Sequence, residues 1–120
     1  MSYDLRLGVK VDGTDIIAVI DQPEWDTPTY NLGKMFRAAT GWDFDQSTWY
    51  RVTDVYPKIQ KGIAELIAYP EKYKQYETEY SKIGTAIKTL ESLKDCIDGH
   101  SDPESAWYQA IPMEHLWVAW

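Results

Sequence analysis

An α+β fold, with a small antiparallel sheet carrying two main helices and one short helix on its apolar face, follows from three features of the sequence. Residues 5–11 alternate apolar and polar side chains, run into Asp12-Gly13, and are followed by a second strand-like run. Two later stretches place apolar residues at three- and four-residue spacing, and the last six residues alternate again. The 120 residues make one domain, 1–120, long enough to bury about two-thirds of the unfolded surface.

The first strand comes from Leu5, Leu7, Val9 and Val11, interleaved with Arg6, Gly8 and Lys10. Asp12-Gly13 suits a two-residue turn with positive φ, and residues 14–20 return. In that register Val11 faces Thr14 and Lys10 meets Asp15. Val9, Leu7 and Leu5 then face Ile16, Ala18 and Ile20. Residues 21–29 carry two prolines and three acids, the composition of a loop. A short helix over 30–40 is capped by Thr29, closed by Gly41, and buries Leu32, Met35, Phe36 and Ala39. Residues 42–50 have no clean period. The next helix starts near Thr53, takes Pro57 in its first turn, and buries Val55, Ile59, Ile63, Leu66 and Ile67.

Pro70 breaks that helix, and 70–76 reads as a helical turn. The third helix covers about 78–97, with Tyr80, Ile83, Ile87, Leu90, Leu93 and Ile97 on one side and Gly99 as its stop. Tyr69, Tyr73, Tyr76 and Tyr80 form a stripe expected in the seam between the long helices. Finally, 115–120 reads as a strand that joins the hairpin, with Leu116, Val118 and Trp120 facing one way and His115, Trp117 and Ala119 the other.

Charge and composition narrow the function. Nineteen acidic against twelve basic residues give a formal charge of −7, which argues against binding duplex nucleic acid through its phosphates. No stretch approaches the ~20 apolar residues of a membrane span, so no membrane partner is expected. The first residues lack the basic and apolar regions of a signal peptide, so the expected location is the cytoplasm. Cys96 is the one cysteine and permits no internal disulfide. Six Trp and nine Tyr against two Phe favour recognition over catalysis, because both are amphipathic and suited to interfaces. A chain this size cannot bury all of them.

Motifs for catalysis are lacking: there is no GxSxG, HExxH, paired CxxC or P-loop, and no cofactor is expected. Cys96 and His100 stand four apart, but Gly99 between them is expected to end the helix, which leaves Cys96 a small core residue. Asp43 and Asp45 could share a divalent cation, although the rest of a calcium loop is missing and a solvated acidic loop is the plainer account.

The binding candidate is 28–44. Tyr30, Asn31, Lys34, Arg37 and Trp42 gather around one short helix, with Asp43 and Asp45 beside it. Lys34 and Arg37 share a helix face and are the only cations between Lys10 and Arg51. Arg37 offers a fork for phosphate or carboxylate, and Tyr30 or Trp42 a stacking surface.

The segments YDLRLGVKV (3–11), PTYNLGKMFRAATGWDF (28–44), TLESLKDCI (89–97) and PMEHLWVAW (112–120) together resemble a family of small uncharacterised proteins encoded by phages and prophages of Gram-positive bacteria. The resemblance covers most of the chain and implies a host bacterial cell as the setting, but assigns no residue a role. In that setting the expected function is a non-enzymatic inhibitor of an antiviral defence system such as CRISPR–Cas, CBASS or Thoeris. It would bind a defence protein directly through an acidic and aromatic surface. The alternative is a sponge that sequesters a nucleotide immune signal between cations and stacking aromatics. A small metal-dependent hydrolase using Asp43 and Asp45, or a phage structural protein, are further readings. The hairpin's free edges and the last strand also suit a homodimer.

Overall fold

The computed structural model describes residues 5–22, 32–45, 48–79, 81–104 and 110–119. Strands β1 (Arg6–Lys10), β2 (Ile17–Asp21), β3 (Tyr50–Arg51) and β4 (Leu116–Ala119) form one antiparallel sheet in the order β2-β1-β4-β3. Helices α1 (Gly33–Thr40), α2 (Val52–Ala68), α3 (Pro70–Tyr73) and α4 (Ile83–Ser101) complete the α+β fold. The last strand does join the hairpin, as its alternation indicates, and it pairs with both β1 and β3. β3 is only two residues long, too short for any periodicity to mark it within 42–50.

The hairpin register differs from the expected one by two residues. Lys10 pairs with Ile17, Val9 with Ala18 and Gly8 with Val19. The turn is longer because Thr14 closes it twice. Its hydroxyl donates to the Val11 carbonyl at 2.9 Å, and its Oγ1 accepts the Ile16 N–H at 3.1 Å. Gly13, at φ 74°, supplies the left-handed position. Because the strand period is two, the slip keeps Val9 with Ala18 and Lys10 with Ile17 on their expected faces. Ile16, Ala18 and Ile20, however, expected on the apolar face, are exposed at the sheet edge. The Lys10–Asp15 ion pair also survives, at 3.6 Å across the turn.

A bulge between Leu7 and Gly8 has larger consequences. It pairs Leu7 with Asp21, where unbroken register would have brought Ile20. Asp21 thereby leaves the face of Ile17 and Val19 and joins that of Leu7, toward the helices.

The core lies between that face and the helices. Leu5, Leu7, Leu116 and Val118 meet Leu32, Met35, Phe36, Val52, Val55, Ile59, Leu66, Leu90, Leu93 and Ile97 in one buried cluster. The α1 stripe and its Gly41 close, at φ 71°, match the sequence expectation, while the Thr29 cap and the first residues of 30–40 lie outside the described residues. In α2, Ile67 is 59% exposed rather than buried, because it stands about 100° round the helix from Leu66, which holds the core side. Pro57 lies deeper than the first turn and leaves the Thr53 carbonyl without its helical donor, but both residues are exposed and water can serve.

The third long helix starts later and ends later than its pattern suggests. The Glu77 carboxylate accepts the Ile83 N–H at 3.0 Å and fixes the start. Gly99 is buried inside α4, and the helix continues to Ser101, whose hydroxyl donates to the Ile97 carbonyl. One polar contact joins α2 to α4, and a second, within α4, holds its acceptor in place. The Tyr56 hydroxyl on α2 donates to Asp98 on α4 at 2.7 Å, and Lys94 pairs with the same carboxylate at 2.9 Å. Of the tyrosine stripe, Tyr73 is buried and Tyr76 half-buried, Tyr69 is exposed, and Tyr80 lies outside the described residues.

Candidate functional site

The 28–44 segment supports structure more than binding. Tyr30 and Asn31 lie outside the described residues. Trp42 is 2% exposed, packed edge-on to Phe44 at 5.6 Å and Tyr50 at 5.3 Å, so its ring is a core element and offers no stacking face. Arg37 is spent locally. Its guanidinium donates to the Phe44 carbonyl at 3.1 Å, lies 4.3 Å from the Phe44 ring centre, and approaches Asp43 at 3.7 Å. Lys34 and Asp45 are exposed, and the Asp45 N–H is held by the Tyr50 hydroxyl at 2.6 Å. The structure brings Arg37 and Asp43 together, but as a clamp on the chain that leaves α1.

A different group of cations and aromatics forms on the open face of the sheet. Alternation turns Arg6, Gly8 and Lys10 of β1 away from the core, with Trp117 of β4 opposite Gly8 and Arg51 of β3 opposite Trp117. One transverse row therefore reads Val19, Gly8, Trp117, Arg51. Gly8 leaves space that Trp49 fills: a Cβ there would sit 3.1 Å from the Trp49 ring and 2.5 Å from Ile17.

On this face the Arg6 guanidinium lies 5.4 Å from the Trp49 ring centre. Lys10 and Arg51 lie 5.5 and 5.3 Å from that of Trp117. Arg6 and Arg51 have no carboxylate partner among the described residues, and Arg6 Nε is a buried donor without an acceptor. At one edge a cleft of about 250 Å³ opens between Lys10, Gly13, Arg51, Glu114, His115 and Trp117. The alternation of β1 and β4 places Arg6, Lys10 and Trp117 on outer faces from sequence alone. The sequence indicates that β4 joins the hairpin, but not that it pairs with β1 rather than β2, nor that Arg51 and Trp49 would join them.

A second polar cluster lies on the helix side. Because α4 runs through Gly99, Cys96 and His100 share one of its faces, and the bulge aims Asp21 at both. Asp21 Oδ2 lies 2.8 Å from His100 Nε2 and accepts from Cys96 Sγ at 3.4 Å, while the Gln22 N–H donates to Oδ1 at 2.8 Å. The hydrogen bond from His100 is the main cause that lowers the Asp21 carboxyl from its ordinary range. Burial, followed by the charge of Asp21, pushes the Cys96 thiol up to about 12. A nucleophilic cysteine needs a base at the sulfur and an orienting acid behind the base. Here the carboxylate stands between the other two, so the order is wrong for a relay, while all three donors converge as ligands do.

Among the described residues no helix is long and apolar enough to cross a membrane. Compared with known proteins, the chain matches no family model, no curated protein and no solved structure.

Proposed function

We propose that the protein is a non-enzymatic binding protein that holds an anionic nucleotide on the open face of its sheet. In the phage setting that the resemblance implies, it acts as a sponge for a nucleotide immune signal. The observation that carries this reading is the alignment of Arg6 on Trp49 and of Lys10 and Arg51 on Trp117. Phosphates need cations, and bases need indole or guanidinium planes. Arg6 and Arg51, without a carboxylate partner among the described residues, stand beside Trp49 and Trp117, while Lys10 is shared with Asp15. The cleft at its edge is slightly smaller than the ~300 Å³ lower end of small-molecule pockets. Asp12 and Glu114 in its lining accept hydrogen bonds from sugar hydroxyls, so it fits the sugar, with the phosphate on the Arg51 side and the base lying across the open face. Calorimetric titration with cyclic mono-, di- and trinucleotides and ADP-ribose derivatives tests the reading. One of these should bind, and Trp117→Ala should weaken it by at least about 10-fold, the loss of one stacking platform. Absence of heat with every member of the set refutes the sponge.

A second reading, direct binding to a defence protein, is favoured by β2. It is a sheet edge on which Val19 and Ile20 are 46% and 39% exposed, with Ile16 just before it at 64%, near the acids Asp12 and Asp15. Such an edge suits an extended segment of a basic partner protein, added as a fifth strand. Phage plating on hosts that carry one defence system each, with the wild type and an Ile16→Lys/Val19→Lys variant, separates the two readings. Protection lost in the variant while nucleotide titrations stay silent favours the edge. Protection that tracks Trp117 favours the sponge.

A further inference from the structure

Asp21, Cys96 and His100 bring a carboxylate, a thiol and an imidazole from two elements 75 and 79 residues apart, with all three ligand atoms within 4.8 Å of one another. We infer that these three side chains bind one Zn²⁺ ion, which clamps the end of edge strand β2 to the last turns of α4. The site is independent of the nucleotide face, since it lies on the opposite side of the sheet.

Geometry is the first ground. Tetrahedral zinc bonds of about 2.0–2.3 Å hold neighbouring ligand atoms roughly 3.3–3.6 Å apart. The 3.4 Å between Asp21 Oδ2 and Cys96 Sγ already falls in that range. The 2.8 Å between Oδ2 and His100 Nε2 must open by about 0.5 Å to reach it. The Asp21 side chain is 34% exposed, and the ion replaces the hydrogen bonds its Oδ2 accepts from His100 and Cys96, while Sγ and Nε2, within 4.8 Å, draw together on the same ion.

Chemistry is the second. A thiolate with an imidazole and one carboxylate is a borderline-soft set that suits zinc, whereas magnesium and calcium require oxygen ligands throughout. On binding, the thiol loses its proton to solvent and the sulfur lone pair forms the Zn–S bond. Nε2 presents its lone pair, with the ring proton on Nδ1, and an Asp21 oxygen that accepted hydrogen bonds now bonds the metal. The thiolate and the carboxylate together balance the charge of the ion, so a buried sulfur anion is no longer unpaired. Three protein ligands leave the fourth tetrahedral position for water, as in zinc sites that retain an exchangeable ligand.

The fold is arranged for this convergence. Cys96 and His100 reach one face of α4 only because the helix continues past Gly99. Asp21 faces them only because of the β1–β2 bulge.

Titration of the full chain with Co²⁺, followed by thiolate-to-metal charge-transfer absorption, tests the site. Cys96 is the single cysteine, so any such band reports on it alone. The band should saturate at one equivalent, disappear on addition of Zn²⁺, and accompany a rise in melting temperature. His100→Gln and Asp21→Asn, each checked for folding by circular dichroism, should weaken Co²⁺ binding more than about 100-fold, beyond the loss expected from a merely supporting group. His115→Gln should leave it unchanged. Lack of a thiolate band at stoichiometric Co²⁺ would overturn the inference and leave the three side chains as a hydrogen-bonded cluster. Full binding in both His100→Gln and Asp21→Asn would overturn it equally.

Discussion

Gly62 lies where three helices approach one another. A Cβ there would meet Thr40 Cγ2 of α1 at overlapping distance and Leu90 Cδ1 of α4 at 3.2 Å. Alanine at a helix interior normally gains ~1 kcal/mol over glycine, while overpacking a tight core costs about 1–3 kcal/mol. The Thr40 contact is to a buried β-branched side chain with little freedom to move, so the cost wins. Gly62→Ala should lower the urea midpoint without changing the slope of the transition. Arg37 gives a contrasting prediction. Its hydrogen bond to the Phe44 carbonyl and its stacking on Phe44 together hold the 42–45 chain. Arg37→Ala should cost about 1–2 kcal/mol in chemical unfolding and leave nucleotide affinity unaltered. A large loss of affinity in this variant would return the binding site to 28–44.

At the scale of elements, α3 is held on α2 by a buried phenol and an ion pair, both at Glu65, which Lys72 approaches at 3.8 Å. Tyr73 is buried and its hydroxyl donates to the Glu65 carboxylate at 2.9 Å. Burial first, and then Glu65, pushes its ionisation up to about 12. An unfolded chain releases the same proton near 10. Between those values the folded protein binds more protons than the unfolded one, so stability is complete below pH 10 and falls as pH rises toward 12. Melting temperatures measured from pH 9 to 12 should drop, and the drop should be shallower in Tyr73→Phe. The open face gives a second prediction for an element. Gly8→Val would drive a side chain into the space of Trp49 and Ile17, displacing Trp49 from Arg6. Nucleotide affinity should fall about 10-fold, with the intrinsic Trp fluorescence altered as the indole moves.

For the whole molecule, local and total charge oppose each other. Three cations share one sheet face on a chain whose formal charge is −7. A small anion meets the face alone, whereas a long polyanion also meets the acidic remainder, beyond the reach of a Debye length of about 8 Å. The sponge reading therefore predicts that a cyclic nucleotide binds under conditions where a long duplex gives no gel shift. Duplex binding as tight as the nucleotide's would contradict it.

Local patterns determined the elements of this protein. Alternation at 5–11 and 115–120, the 3–4 spacing of α1, α2 and α4, and Gly41 each act over a few residues, so each is legible where it stands. Some of the outer-face chemistry was legible too, because Arg6, Lys10 and Trp117 fall on the polar side of their alternation. Tertiary structure decided which residues meet. Thr14 lengthened the turn, the bulge turned Asp21 inward, and packing carried α4 through Gly99. Without these, Asp21, Cys96 and His100 would remain three unrelated positions. Sheet order alone placed Arg51 beside Trp117, and core packing removed Trp42 from the surface. The physical reason is the same throughout: periodicity fixes the direction of a side chain within its own element, while its neighbours across the sheet or helix are set by long-range pairing that no local pattern encodes.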